Sequence, residues 1–354
     1  MLRYLTAGES HGKALIAILE GMPAGLKVDV AKINQELWRR QQGFGRGSRM
    51  QMEKDKVQIL SGLRKDITLG SPISLLMENK DFSIERLPEV TCPRPGHADL
   101  AGILKYGFTD ARNVLERASA RDTASRVGIG AICKIFLGEF KISISSKVLS
   151  IGAESTPKTM KEKILEAKNN QDTVGGIFEV VAKGVPCGLG SYVQPDRRLD
   201  GRLAQAIMSI PGIKAVEIGL GFGYADKFGS RCHDAIYYAK SKSLTCSGRQ
   251  GYFRKTNNAG GIEGGISNGE NIVIRTCMKP ISTLLNPLDS VNIITHKPAK
   301  ATVERSDICV VESAGVIAES VCAYVLVDAF LEKFGSDNLV DIKKTYQGYQ
   351  KRIK

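Results

Sequence analysis

The spacing of apolar positions predicts a chain of mixed helices and strands. Ile33 and Leu37 stand one helical turn apart behind Asp29, a residue type that caps helix N-termini. That helix is expected to run toward Arg39-Arg40 and to stop at Gly43-Phe44-Gly45-Arg46-Gly47, which puts the arginines at its end and in the loop that follows. Two short extended runs, 56–60 and 72–77, flank a polar, turn-rich stretch and predict antiparallel strands. From Asn113 to Leu137, Ala118, Ala120, Ala124, Val127, Ile129, Ala131, Ile132 and Ile135 predict one long helix, and small residues on so many sides imply close packing. Ser313 to Phe334 has the same alanine-rich texture and also follows an arginine-bearing segment, which suggests an internal duplication. Leu199 to Ile210 predicts another helix, broken by Pro211-Gly212 and followed by the strand-like Ala215-Val216-Glu217-Ile218. Strands adjoin helices without strict alternation, so a layered α+β arrangement is expected over a doubly wound sheet. No Pro/Ser-rich linker or low-complexity tract divides residues 1–354, which are expected to form one domain.

Composition narrows the partners. Apolar residues make up 42% and charged residues 25%, the balance of an ordinary globular protein. The net charge of +13 implies attraction to anions. Nucleic acid is disfavoured, because no basic run exceeds two residues and no finger or RNA-platform motif occurs. The eight cysteines form no Cys-x-x-Cys pair and no zinc spacing, and read as reduced thiols. The stretch from Met1 to Glu9 has no signal-type apolar core, and Ala314 to Leu331 contains Glu319 and Asp328, which suits a packed helix better than a membrane span. A soluble, cytoplasmic protein with no membrane partner and no metal is expected.

Candidate chemistry gathers around two of the four histidines. His11 lies in Gly8-Glu9-Ser10-His11-Gly12 and His97 in Arg94-Pro95-Gly96-His97-Ala98-Asp99, while Arg305-Ser306-Asp307 adds a guanidinium and a carboxylate. Imidazole carries or releases a proton near neutral pH, and guanidinium binds phosphate or carboxylate in a planar fork. The inventory suits acid/base chemistry on a phosphorylated, polyanionic small molecule. Gly260 to Gly269 is neither a Walker loop nor a Rossmann fingerprint; it reads either as a tight connection or as a backbone that lets a flat or phosphorylated ligand approach closely.

Taken together, Gly8 to Gly12, Gly45-Arg46-Gly47 with Arg49-Met50, Arg94 to Asp99, Arg117-Ala118-Ser119-Ala120-Arg121, Gly260 to Gly269, Met278-Lys279-Pro280-Ile281 and Arg305-Ser306-Asp307 resemble the chorismate synthase family in order and spacing across nearly the whole chain. The resemblance implies a layered β/α/β sandwich with helices between antiparallel sheets, assembled as a homotetramer whose subunits approach the flavin site. It implies a 1,4-anti elimination of phosphate from 5-enolpyruvylshikimate 3-phosphate to give chorismate, with reduced FMN required and no net redox change. By family position His11 is the general acid toward the departing phosphate, His97 faces the pyrimidine side of the reduced flavin, and Asp307 lies near flavin N5 to accept or relay its proton. Ser10, Arg40, Arg46, Arg94, Arg121 and Arg305 are the matching substrate positions. For FMN they are Arg117, Ala118, Ser119, Lys214, Ala215, Gly264, the run Lys279, Pro280, Ile281, Ser282 and Thr283, and again Arg305. Asp122 stands before Thr123 where the family pattern has glutamate, and His233 is read as structural. No Rossmann fingerprint or long insertion suggests a built-in NAD(P)H reductase, so an external flavin reductase is expected. Two other readings remain: a basic phosphate- or nucleic-acid-binding protein on the same scaffold, and an ordinary flavin oxidoreductase.

Overall fold

A computed structural model describes residues 1–47, 53–240, 251–304 and 306–353. The strands of its two four-stranded sheets are β1 (Arg3–Ala7), β2 (Ala14–Glu20), β3 (Gln58–Ser61), β4 (Ile73–Glu78), β5 (Ser143–Ile151), β6 (Gly176–Lys183), β7 (Ile213–Ile218) and β8 (Ile272–Met278). The helices used below are α1 (Val30–Gln41), α2 (Asp99–Tyr106), α3 (Arg112–Ala118), α4 (Thr123–Gly138), α5 (Pro157–Asn169), α6 (Leu199–Met208), α7 (Val311–Phe334) and α8 (Leu339–Arg352). Two four-stranded antiparallel sheets, ordered β1-β2-β4-β3 and β5-β6-β8-β7, enclose a layer of helices. This is the expected layered α+β sandwich. Within each half the order is first, second, fourth, third; a helix (α1 or α6) separates the second and third strands, and a long helix (α4 or α7) follows the fourth. That shared topology supports the internal duplication.

Each sheet follows the two-residue alternation that lets one face be apolar. Leu15, Ala17 and Leu19 on β2 and Ile73, Leu75 and Met77 on β4 point into the core, as do Phe178, Val180 and Ala182 on β6. These side chains join α4 and α7 in one apolar core that includes residues of both halves. The two central helices lie so close that a Cβ on Gly130 would fall 2.3 Å from the Cβ of Ser320 and 2.5 Å from its Cα, so only glycine fits there. By length and composition α7 matches a membrane-crossing helix, but 89% of its apolar window is buried between the other layers. Its apolarity is spent on packing.

The capped helix forms as expected: Asp29 accepts a hydrogen bond from the Ala31 amide at 2.9 Å, and Ile33 and Leu37 are buried. A buried charge cluster fixes the other end of α1. Glu319 on α7 accepts from both Arg39 terminal nitrogens at 2.8 Å, from Lys134 on α4 and from Ser146 on β5 at 2.6 Å. Burial alone would raise the Glu319 carboxyl, but Arg39 and Lys134 hold it below the ordinary value. Anchored in this way, α1 turns its next residue, Arg40, to the opposite side.

One expectation needs correction. Residues 113–137 are not a single helix: α3 ends at Ala118, a short turn covers Ala120–Asp122, and α4 begins at Thr123. Ser119 adopts extended backbone, and its Oγ accepts from the Arg121 amide at 3.3 Å, the local side-chain bonding that competes with helix. The interruption exposes Ala118 to Arg121 to a cavity that a continuous helix would have closed.

Candidate active site

A cavity of about 610 Å³ opens where the C-terminal end of α1, the α3–α4 junction and the N-terminal turns of α7 meet. Its described lining includes Ser10, His11, Arg40, Arg46, Arg94, His97, Ala118, Ser119, Arg121, the whole run from Lys279 to Thr283, and Asp307. The described lining holds five fixed cations (Arg40, Arg46, Arg94, Arg121, Lys279) against two carboxylates, Glu304 and Asp307. Such a pocket favours an anionic guest carrying more than one negative group.

His11 sits on the loop after β1. Its Nδ1 lies 3.0 Å from both carboxylate oxygens of Glu116 on α3, and its backbone amide donates to Glu116 Oε2 at 2.8 Å. The Ser10 amide donates to the Glu116 carbonyl at 2.9 Å, which docks the loop on the helix end. Ser119 Oγ reaches Ser10 Oγ at 3.2 Å, so the two hydroxyls share one wall.

The arginines are held by carboxylates behind the wall. Arg121 contacts Asp55 at 2.7 and 2.8 Å and donates from Nε to Asn79 at 2.9 Å, while Arg40 donates to Thr123 Oγ1 and to the Ala120 carbonyl at 2.9 and 3.0 Å. Burial, with Arg121 and Arg46 nearby, pushes Arg40 down to about 10, so it stays cationic at neutral pH. Arg46 Nη1 pairs with Asp307 Oδ2 at 2.9 Å, and the Gly47 amide donates to Asp307 Oδ1. A side chain at Gly47 would meet that oxygen and the Ser306 carbonyl, both 3.2 Å from its Cβ, which explains a glycine here. Among the described residues Arg46 Nε is a buried donor with no hydrogen-bond partner, while Arg121 Nη2 lies 3.8 Å from the buried Glu53 Oε2. Native proteins rarely leave such a donor unmet, so Arg46 suits an anionic group of a bound molecule.

On the opposite wall Arg94, His97 and Asp99 form one cluster. Arg94 donates to Asp99 through Nε at 2.8 Å and Nη2 at 3.0 Å, and through Nη1 to Thr283 at 2.8 Å; His97 Nδ1 is hydrogen-bonded to Asp99 Oδ1. Lys279 Nζ and Ser282 Oγ both donate to the Gly96 carbonyl, which ties the run after β8 to the His97 loop. Partial burial, then the nearby Lys214, lowers the Lys279 ammonium.

The cavity does not gather every expected position. Arg117 turns away to the Gly8 and Thr6 carbonyls and to Asp122. Lys214 and Ala215 lie on β7 beside the cavity's Pro211-Gly212 edge and do not line it. Gly264 belongs to the small hairpin pairing Ile262–Glu263 with Ile266–Ser267; the glycine-rich run is a tight connection, away from the cavity. Arg305, Arg49 and Met50 lie outside the described residues. Asp122 bonds Arg117 and Arg126, the work of a carboxylate of either length. His233 is exposed and apart from the site.

Sequence reasoning missed the carboxylates that organise this chemistry: Asp55, Asp99 as a partner, and Glu116. Two have a measurable consequence. Burial would raise Asp99 and Glu116, but the bonds to His97 and Arg94, and to His11, hold both below their ordinary values of 3.8 and 4.5. A depressed carboxyl contributes stability that is complete above its unfolded value and is lost as pH falls toward the folded one. The melting temperature is therefore expected to be flat above about pH 5 and to fall steeply below about pH 4. Asp99→Asn should have a shallower acid slope; an unchanged slope in calorimetry would remove Asp99 as its source.

Residues 2–331 match the family description "Chorismate synthase". A protein named chorismate synthase from Thermoanaerobacter pseudethanolicus is 54% identical over 356 residues, covering 100% of this chain and 99% of its own. One from Geobacter metallireducens is 51% identical, covering 99% and 98%. A solved structure titled "Crystal Structure of Chorismate Synthase" superposes with a TM-score of 0.79 at 42% identity, covering 100% of this chain and 98% of that one. With the fold, the full-length identity and the cavity in agreement, this chain belongs to the chorismate synthase family.

Proposed function

We infer that the cavity converts 5-enolpyruvylshikimate 3-phosphate to chorismate by 1,4-anti elimination of phosphate, a carbon–oxygen lyase reaction and the last common step toward aromatic amino acids. The observation that carries this is the meeting of His11, His97, Asp307 and five fixed cations in the described lining of one cavity. The substrate has one phosphate and two carboxylates. Guanidinium groups already desolvated and held by Asp55, Asp99 and Asp307 replace the water those anions lose, without reorganising. Neither the binding-protein nor the net-redox reading gains a supporting observation.

Reduced FMN is the proposed cofactor; when bound, it supplies transient electron density as phosphate departs. Residues that would hold it are Ala118, Ser119 and the run from Lys279 to Thr283, whose amine and hydroxyls suit a phosphate tail and which stands against the His97 loop. His11 delivers a proton to the departing phosphate oxygen, offsetting charge developing there. His97 is kept in one orientation by Asp99 and Arg94. Asp307, oriented by Arg46 and the Gly47 amide, accepts a proton at a carboxylate oxygen and returns it to solvent.

The same proposal includes a single catalytic unit in the cytoplasm, fitting the free state of the seven described cysteines. It includes an external flavin reductase, since the described elements are taken up by the sandwich and its short hairpins. It also includes a homotetramer: the outer face of the first sheet exposes Leu5 at 74%, with Ile18 paired opposite it and Ile16 on the same strand as Ile18, the kind of patch self-association covers. Sedimentation velocity checks the last point.

The deciding experiment is anaerobic incubation with the substrate and photoreduced FMN, following chorismate absorbance and phosphate release together. Both products are expected in equal amounts, catalytically, and only with reduced flavin. Folded, flavin-binding protein without turnover would overturn the reading, and stoichiometric flavin oxidation would replace it with an oxidoreductase.

A further inference from the structure

We propose that Glu116, backed by Arg112, is a positioning residue that keeps a proton on His11 Nδ1, so that Nε2 is the nitrogen that serves the substrate. The inference rests on His11 being the acid of the proposed reaction and adds what makes it competent. Glu116 is an acceptor when ionised, its side chain is only 2% exposed, and both its oxygens lie 3.0 Å from Nδ1. The His11 amide donates to the same carboxylate, so ring and backbone are fixed by one group. A carboxylate so placed sets the tautomer of a neutral imidazole and steadies its cationic form.

Arg112 holds the carboxylate from behind. It lies one turn earlier on α3, with Nη1 3.6 Å from Glu116 Oε1, Nη2 donating to Glu304 at 2.7 Å and Nε to the Pro88 carbonyl at 3.1 Å. Glu304 lines the cavity close in sequence to Asp307, so Arg112 bridges the acid's support and the segment bearing the proposed proton acceptor. Among the described residues, Asp81 Oδ2 lies 4.0 Å from His11 Nε2, and Arg40, Arg46, Arg94 and Arg121 line the same cavity. Asp81 adds field at Nε2, whereas Glu116 has the bonding distance.

The proton balance is simple. As the substrate's C–O bond breaks, its electron pair leaves with the phosphate, whose oxygen takes the proton from Nε2. The positive charge leaves the ring, Nδ1 keeps its hydrogen toward Glu116, and a solvent proton restores Nε2.

The test compares Glu116→Gln, Glu116→Asp and His11→Ala in full-length protein with reduced FMN. Glu116→Gln is expected to lower kcat at least about tenfold, with KM and flavin affinity within about twofold. Removing the carboxylate should move the alkaline limb of the kcat–pH profile toward acid, and Glu116→Asp should restore part of that change. A purely structural role would lower stability and leave the limb in place. Wild-type rate and limb in Glu116→Gln, beside an inactive His11→Ala, would overturn the positioning role alone. An active His11→Ala would instead remove the acid assignment on which it rests. Should Glu116→Gln fail to fold, ¹⁵N spectra of the wild-type ring decide: a neutral His11 protonated at Nε2 refutes the proposal.

Discussion

His11→Ala is expected to cut kcat by about 10²–10⁴-fold while leaving reduced-flavin affinity unchanged. The loop that carries the ring does not depend on the ring for its shape. Its Ser10 amide is bonded to the Glu116 carbonyl at 2.9 Å, and Asn79 Nδ2 donates to the carbonyls of Glu9 and Gly12 at 3.2 and 2.7 Å. Substrate charge is met chiefly by arginines on other segments, so KM should change little and the loss should fall on the step in which phosphate departs. Single-turnover phosphate release separates the two outcomes. A variant that releases phosphate at the wild-type rate but binds flavin poorly would place His11 on the cofactor instead.

The fold was legible where local rules agree with tertiary need. Asp29, Ile33, Leu37 and the Gly43–Gly47 stop each point to α1, and the alternation in 72–77 points to β4. The break at Ser119 was not legible, because the alanine-rich stretch around it favours helix. There the serine's bond to the Arg121 amide and the fixing of Arg121 by Asp55 outweigh propensity. Such interruptions of a local rule are expected at working sites.

The site divides in the same way. Residues that touch the cavity lie in short segments, each with a recognisable local composition, and the order of those segments carried the assignment. Two of their supporting carboxylates, Glu116 and Asp55, were invisible because the pairing is long-range: His11 meets Glu116 across 105 residues and Arg121 meets Asp55 across 66. No periodicity or spacing rule spans such distances. Only packing the α3–α4 junction against the loops after β1 and before β3 brings them together. Gly264 lies in a small hairpin, because a glycine-rich run satisfies a turn as readily as a ligand.

Arg121→Met should be the most damaging substitution to stability and substrate affinity together. Arg121 is 3% exposed and Asp55 fully buried, so removing the guanidinium strands a carboxylate whose other partner, Arg40 Nη1, is 3.5 Å away. Breaking one side of a buried pair costs about 3–5 kcal/mol, more than the pair itself contributes over an apolar replacement. The same change removes a cavity-lining guanidinium that suits the substrate's anionic groups, so affinity should fall as well. Arg121→Met combined with Asp55→Asn separates the two effects, because it removes the stranded charge without restoring the cation. Urea unfolding of the double variant should recover most of the lost stability, while its substrate affinity stays low. Recovery of both would make Arg121 a structural counter-ion, and the binding of the phosphate and carboxylates would then rest on Arg40, Arg46 and Arg94.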